Sequence, residues 1–457
     1  MSATLTFLGG VGTVTGSKFL VESDDSSIIV DCGLFQGLSS LRRRNWMPLP
    51  DSLRQADAVV LTHAHLDHTG FLPVLARAGW RGPIYATEGT ARLAEIVLVD
   101  SAHLLEEEAL HANTYGWSKH RPALPLYDAK DVEQTRRLLR TATFGESVPL
   151  PGGLDLTFGR AGHILGSSWA RLTTPDGRTV LSSGDLGRQH HPLLRAPQPR
   201  PSVDTLLIES TYGDRRRHSE NARDEFATMI NRTARRGGSV LIPAFAVDRT
   251  EVLLYELDQM QAAGMIPALP IVVDSPMALS CLRVYREALH EGWPELRTDL
   301  PRDLFDAAGV REVRTANESM EWNDPRVPSI IISASGMASG GRVLHHLQSM
   351  LPNHRHTVAI VGFAAEGTRA RQLLEGATEI KIHGRYVPVR AEVYSLDAFS
   401  AHADSDELVA WATGAPAPST CFVVHGEQHS SHALAERLRD EVGWTAVVPH
   451  EGERVGL

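Results

Sequence analysis

Residues 61 to 70 read LTHAHLDHTG, so His63, His65, Asp67 and His68 fall within six positions directly behind the apolar run DAVVL. Imidazole and carboxylate together make the donor set that zinc and iron accept, and metal sites often sit on loops at strand ends. A strand that delivers four such donors to one turn constrains everything else, because the remaining chain has to enclose that turn. His63 and His65, two residues apart, suit one ion, whereas Asp67 and His68 are aimed elsewhere once a helix begins near Thr69. The loop thus raises the question of a second ion.

With 457 residues the chain exceeds what one hydrophobic core comfortably serves, which predicts two domains or one domain inserted in another. Apolar residues at 42% and charged residues at 22% fit a globular protein. The start MSATLTFLGGVG has no basic flank and no long apolar stretch, and nowhere do eighteen apolar residues run together. The expectation is a cytoplasmic protein without signal peptide or membrane contact. Cys32, Cys281 and Cys421 are odd in number and far apart, which argues against disulfides and against a cysteine-based zinc site. A net charge of −10 disfavours a broad electrostatic grip on nucleic acid, so a polyanion has to meet a local patch. Only Lys18, Lys119, Lys130 and Lys381 are lysines among 45 basic residues. Arginine suits bidentate phosphate contacts, although a GC-rich genome gives the same bias.

The amino-terminal half alternates short strand-like runs with Gly and Asp turns: ATLTFLG, SKFLVES, SIIVDCG, DAVVLTH, PIYATEG, LDLTFGR, SWARLTT, RTVLSSGD and DTLLIES. Helical patterns over 89–112 and 129–143 lie between them and predict an α/β sandwich with covered sheet faces. From about 222 the texture becomes helix 222–236, strand SVLIPAF, helix 248–263 and strand PIVVDS, then helix-rich sequence to about 310. IIISAS, TVAIVGF and EIKIHG continue the strands, and the alternation predicts βαβ units with a parallel sheet. From about 391, AEVYSL, CFVVHG and TAVVPH return to short strands around one helix near 430–441. Arg42 to Arg44 and Arg215 to Arg217 form basic triplets in expected loops.

The pattern HxHxDH behind a strand resembles the signature of the metallo-β-lactamase superfamily. On that resemblance Asp31 in IIVDCG orients the histidine loop, His163 in AGHILGS supplies a third metal histidine, and Asp185 in LSSGDLG bridges two metals. His63, His65, Asp67, His68, His163 and Asp185 are six donors, more than one tetrahedral zinc accepts, so two ions are required or donors stand idle. The implied arrangement gives His63, His65 and His163 to one ion and Asp67 and His68 to the other, one protein ligand short. Further along, LLIESTYGD, SAHAD and VHGE resemble motifs A, B and C of the β-CASP nucleases, the branch that includes ribonuclease J and the nuclease subunit of the cleavage and polyadenylation specificity factor. By that resemblance His425 completes the second metal, and His402, paired with Glu209, becomes the general acid, with Asp31 and Asp67 also counted in the catalytic set.

IPAFAVDRT, VDSPMA, SASGMASGGR and GFAAEGTRAR carry the look of the inserted β-CASP domain. Gly-rich turns that enter helices expose backbone N–H groups to phosphate oxygens, which makes Ser335, Gly336, Gly340, Gly341 and Arg342 candidate substrate-binding residues. The fold expected is an α/β protein, an αββα sandwich over 1–208 and 377–457 with a β-CASP domain over 209–376, the substrate held in the cleft between them. The function expected is hydrolysis of single-stranded RNA, in endonucleolytic mode, by two zinc ions, with manganese or iron compatible with the same donors. A homodimer stays open. Two other readings also stay open: a metallo-hydrolase of a small ester or thioester, and a non-catalytic RNA-binding subunit of a processing complex.

Overall fold

Apolar residues alternate along the short amino-terminal strands, and the alternation sorts them onto two buried faces. The computed structural model describes residues 3–116, 118–216, 221–305, 309–396 and 399–457. In Lys18–Glu22 and Ser27–Val30, the side chains of Phe19, Val21, Ile28 and Val30 join one core, while Leu20 and Ile29 join another. A sheet buried on both sides has to be covered twice, and the chain supplies both covers.

One seven-stranded sheet runs Arg454–Gly456, Thr4–Gly9, Lys18–Glu22, Ser27–Val30, Ala58–Val60, Ile84–Ala86 and Leu139–Thr141. Its first strands pair antiparallel and its last three pairings are parallel. The second seven-stranded sheet runs Ala446–Val447, Thr420–Val424, Thr205–Glu209, Thr179–Ser182, Ser168–Thr173, Asp155–Arg160 and Ser147–Pro149. Phe7, Phe19, Val21 and Ile28 of the first sheet meet Leu156, Phe158, Leu172 and Phe422 of the second in a shared core. Helices Leu72–Arg77 and Glu88–Tyr115 cover the outer face of the first sheet through Leu72, Leu75, Leu98 and Ala102. Helices Ser405–Thr413 and Gln428–Asp440 cover that of the second through Leu408, Trp411, Leu434 and Leu438. The result is an αββα sandwich.

By contact density the chain divides into Met1–Arg216 with His402–Leu457, which carries both seven-stranded sheets, and Arg217–Ala401. The second unit holds a six-stranded parallel sheet ordered Val310–Glu312, Ile271–Val273, Ile330–Ser333, Val240–Pro243, Thr357–Ile360 and Glu392–Ser395. All nine strand-like runs of the amino-terminal half form strands. Four details differ from the sequence reading. The helix expected over 129–143 stops at Arg136, and Leu139–Thr141 pairs with Ile84–Ala86 as an edge strand. Glu379–Ile382 leaves the parallel sheet and forms a hairpin with Arg385–Pro388. Glu392–Ser395 pairs with Thr357–Ile360, so it extends the second unit's sheet. A helix at Ser405–Thr413 precedes the expected one, opened by a capping box between Asp404 and Glu407. Among the described residues no helix is long and apolar enough to cross a membrane.

Candidate metal centre

Parallel strands end on the same side of a sheet, and here their last residues are the site. Asp31 follows Ser27–Val30, His63 follows Ala58–Val60, Asp185 follows Thr179–Ser182, Glu209 closes Thr205–Glu209, and His425 follows Thr420–Val424. His163 comes from the turn between the antiparallel strands Asp155–Arg160 and Ser168–Thr173. The histidine loop itself is pinned by main-chain bonds: Ser17 N–H donates to Asp67 O at 2.9 Å and Cys32 N–H to His68 O at 2.7 Å. Gly33 packs so tightly that a Cβ there would lie 1.6 Å from the Asp67 carbonyl oxygen, which only glycine avoids. Asp31 and His425 are non-glycine residues in the left-handed region, at φ 59° and 47°, conformations that surrounding structure has to impose.

Two groups of donors result, His63, His65, His163 and Asp185 in one and Asp67, His68 and His425 in the other. In the first, His63 Nε2 lies 3.1 Å from His65 Nδ1, His163 Nε2 3.3 Å from His65 Nδ1, and Asp185 Oδ2 3.4 Å from His63 Nε2 and 3.7 Å from His163 Nε2. Bonds of about 2.05 Å to a tetrahedral zinc put neighbouring donors about 3.3 Å apart. These four distances are close to the edges of one coordination tetrahedron, and all four donors lie within 4.8 Å of one another. In the second, His68 Nε2 is 3.1 Å from His425 Nε2, and His425 Nε2 is 3.5 Å from Asp67 Oδ2. Asp185 Oδ1 lies 3.4 Å from His68 Nε2, so the two oxygens of one carboxylate face the two groups. Among the described residues Asp185 Oδ1 is buried without a hydrogen bond, a cost that a cation at this point removes. The residues present fit a pair of divalent ions.

Charge is arranged to the same end. Burial disfavours the charged form of Asp185, but His425, His68 and His63 outweigh it and hold the carboxyl well below its usual range. Burial, with help from neighbouring imidazoles, pushes His63 well below the usual histidine value, and burial brings His65 down to about 4, which favours the neutral form of both rings. His68 goes the other way: burial opposes its charge, yet Asp185 and Asp31 raise it well above the ordinary value.

Three of the histidines, His63, His68 and His425, meet a partner in the surrounding shell on the nitrogen turned away from the donor groups. Asp31 Oδ2 lies 2.8 Å from His68 Nδ1 and 2.8 Å from Thr62 Oγ1, and Asp31 Oδ1 accepts from Thr62 N–H at 2.8 Å. Thr62 Oγ1 also lies 3.2 Å from His63 Nδ1. Glu209 Oε1 accepts from Leu186 N–H at 2.8 Å and faces His402 Nδ1 at 3.2 Å. The His402 ring stands 4.4 Å from that of His163, and its Nδ1 is 4.0 Å from Asp185 Oδ2. Thr211 Oγ1 lies 3.2 Å from His425 Nδ1. Thr62 and Thr211 carry no motif of their own in the sequence: Thr62 adjoins His63, and Thr211 lies two residues past Glu209.

The other candidates are not among these donors. Ser335, Gly336, Gly340, Gly341 and Arg342 belong to the second unit, in the loop between Ile330–Ser333 and helix Val343–Met350. The Arg342 guanidinium is committed to Asp274 Oδ1 at 2.7 Å and to the carbonyls of Val313 and Arg314 at 3.2 and 2.9 Å. Gly340 is open, since a Cβ there would meet nothing within 4 Å. Arg42 to Arg44 end a short helix, where Arg44 pairs with Glu451 and stacks 3.7 Å above the Phe35 ring. Arg215 pairs with Asp214 and Arg216 with Asp406, while Arg217 lies outside the described residues.

Family comparisons agree with this layout. The model described as "Metallo-beta-lactamase superfamily" matches residues 11–211, "Beta-Casp domain" matches 250–373, and "Zn-dependent metallo-hydrolase RNA specificity domain" matches 386–449. Ribonuclease TTHA0252 of Thermus thermophilus is 37% identical over 434 residues, covering 94% of each chain. Transcription termination factor FttA of Cenarchaeum symbiosum is 32% identical over 99% of this chain and 70% of its own length, and that of Methanocaldococcus jannaschii 30% identical over 95% and 68%. A crystal structure of an Enterococcus faecalis protein matches the whole chain with a TM-score of 0.53 at 13% identity, a likeness of fold alone.

Proposed function

This chain belongs to the metallo-β-lactamase superfamily, in the branch whose sandwich is interrupted by a β-CASP domain, and on that premise we propose that it is a zinc-dependent ribonuclease that cuts single-stranded RNA endonucleolytically. The observation that carries the reading is the pairing of two donor groups around Asp185 with a Glu209–His402 couple at their edge. Two metals and an aligned acid are what phosphodiester hydrolysis needs; a binding subunit needs neither.

We assign His63, His65 and His163 to one ion, Asp67, His68 and His425 to the other, and Asp185 to both. Bound there, a pair of zinc ions supplies Lewis acidity to the phosphoryl oxygens and brings the pKa of a water toward neutrality. Manganese or iron would be held by the same nitrogens and oxygens. Asp67, 18% exposed, is the donor carboxylate that solvent reaches, and it orients the attacking water. Asp31 and Thr62 keep His68 and His63 in register, so that the nitrogens facing the ions stay bare. Glu209 accepts a hydrogen bond from His402 Nδ1–H and supports the ring in its imidazolium form, whose Nε2–H gives its proton to the leaving 3′-oxygen and leaves a neutral ring with the proton on Nδ1; the His402 side chain is 15% exposed. The products are a 5′-phosphate and a 3′-hydroxyl.

With Arg342 committed to Asp274, the phosphate-holding role of the 335–342 loop falls to the N–H groups of Gly340 and Gly341, assisted by Ser335 and Gly336. Three free, buried cysteines agree with a reducing cytoplasm. End-labelled single-stranded RNA incubated with purified protein, with and without chelator, tests the whole. Cleavage that chelator abolishes and zinc restores is the expected result. Binding without cleavage would point to a scaffold, and neither to a small-ester hydrolase.

A further inference from the structure

Glu209, Ser210 and Thr211 leave the strand Thr205–Glu209 together, and each holds a different part of the site. Glu209 faces His402, Ser210 Oγ donates to Val424 O at 2.8 Å, and Ser210 N–H donates to His425 O at 3.1 Å. Thr211 is buried, its N–H bound to Glu209 Oε2 at 3.1 Å, and its hydroxyl reaches two atoms of one residue: His425 O at 3.3 Å and His425 Nδ1 at 3.2 Å.

Proton accounting fixes the direction of these contacts. A carbonyl oxygen has no proton to give, so the single hydroxyl proton of Thr211 goes to His425 O. Towards the ring the hydroxyl is then left only as an acceptor, and Nδ1 has to be the donor. A neutral imidazole carries one N–H. With that proton on Nδ1, Nε2 is bare, and Nε2 is the atom that faces His68 Nε2 and Asp67 Oδ2. Asp185 Oδ1 stands 3.3 Å from Nδ1 without a hydrogen bond to it, and a carboxylate oxygen at that distance favours the same tautomer through its charge. Once Asp185 is engaged by cations, Thr211 is the partner that remains.

We propose that Thr211 is a positioning residue that holds His425 in the tautomer with a bare Nε2 and thereby sets the affinity of the Asp67, His68 and His425 group for its divalent cation. The inference rests on the two-ion reading above. Thr211 does for His425 what Asp31 does for His68, but with a neutral hydroxyl, so it adds no charge to a site already rich in carboxylates.

The test titrates Zn2+ into the full-length, metal-stripped chain against a chromophoric chelator, for wild type, Thr211→Val, Thr211→Ala and Thr211→Ser. Wild type is expected to take up two ions. In Thr211→Val and Thr211→Ala one of the two should bind about 10–100-fold more weakly while the other stays as in wild type. Thr211→Ser, which keeps the hydroxyl, should restore wild-type uptake. Two unchanged affinities in either hydroxyl-free variant would overturn the role of Thr211 alone, and so would a general loss of both ions that serine fails to rescue. A wild type that takes up no second ion would overturn the two-ion reading itself.

Discussion

Each unit of the molecule buries an aspartate against imidazole, and the two are built for opposite ends. In the second unit Asp274 is fully buried; its Oδ1 accepts from Arg342 at 2.7 Å and its Oδ2 from Ser319 Oγ and from His346 Nε2, the latter at 2.7 Å. Both oxygens have donors, and although burial opposes its charge, these partners hold its carboxyl below the usual range. In the first unit Asp185 is as buried, yet it faces His63, His68, His163, His402 and His425 with an oxygen left unbonded and the imidazole nitrogens turned towards common points. Satisfied polar groups make structure. Lone pairs converging on a shared centre make a cation site, and burial by itself does not tell the two apart.

The contrast predicts different losses. Asp185→Ala should lose both ions and lower RNA cleavage by at least about 1,000-fold, as expected when the charges that stabilise the transition state are gone. Metal analysis checks this, and two zinc ions retained per chain would break the functional half of the comparison. His402→Ala should lower turnover by about 100- to 10,000-fold with zinc content at the wild-type level; a parallel fall in metal would make His402 a ligand and not the acid. Asp274→Ala should leave zinc uptake alone and cost about 3 kcal/mol of stability, since removing one partner of a buried pair strands the other. Urea unfolding reads that cost, and a loss of zinc would erase the distinction between the two aspartates.

How much of this was legible in the sequence depends on how local the signal is. His63, His65, Asp67 and His68 lie in one loop, so their chemistry could be read directly, whereas His163, Asp185, Glu209, His402 and His425 became readable only through their order along a known pattern. Thr62 and Thr211 look like ordinary threonines until the fold sets them 3.2 Å from His63 and His425. The commitment of Arg342 to Asp274 is likewise invisible, because 68 residues separate the pair. Leu139–Thr141 was misread for a physical reason: RRLLR has helical spacing, and pairing with Ile84–Ala86 overrides that local preference. Glu379–Ile382 alternates as any strand does, so nothing in it says which sheet it joins. The helix Ser405–Thr413 had a readable start, the Asp404 and Glu407 capping box, which the short apolar run behind it obscured.

Acid should separate the two halves of the metal site. A proton and a cation compete for the same imidazole lone pair, so a ligand with a raised pKa loses its metal earlier as pH falls. Burial pushes His63 well below the usual value and His65 down to about 4, so in the first group these two nitrogens stay available far into the acid range. In the second group burial is outweighed at both histidines: Asp185 and Asp31 raise His68 well above the usual value, and Asp185 and Asp67 raise His425. These rings are protonated first. Dialysis of the zinc-loaded protein through a descending pH series should therefore release zinc in two steps, the first and at the higher pH from the Asp67, His68 and His425 group. His425→Ala, which lacks a ligand of that group, should show the later step only. Release of both ions in one step would mean that Asp185 couples the two groups too tightly for their separate electrostatics to matter, and survival of the earlier step in His425→Ala would mean that this step does not come from the Asp67, His68 and His425 group.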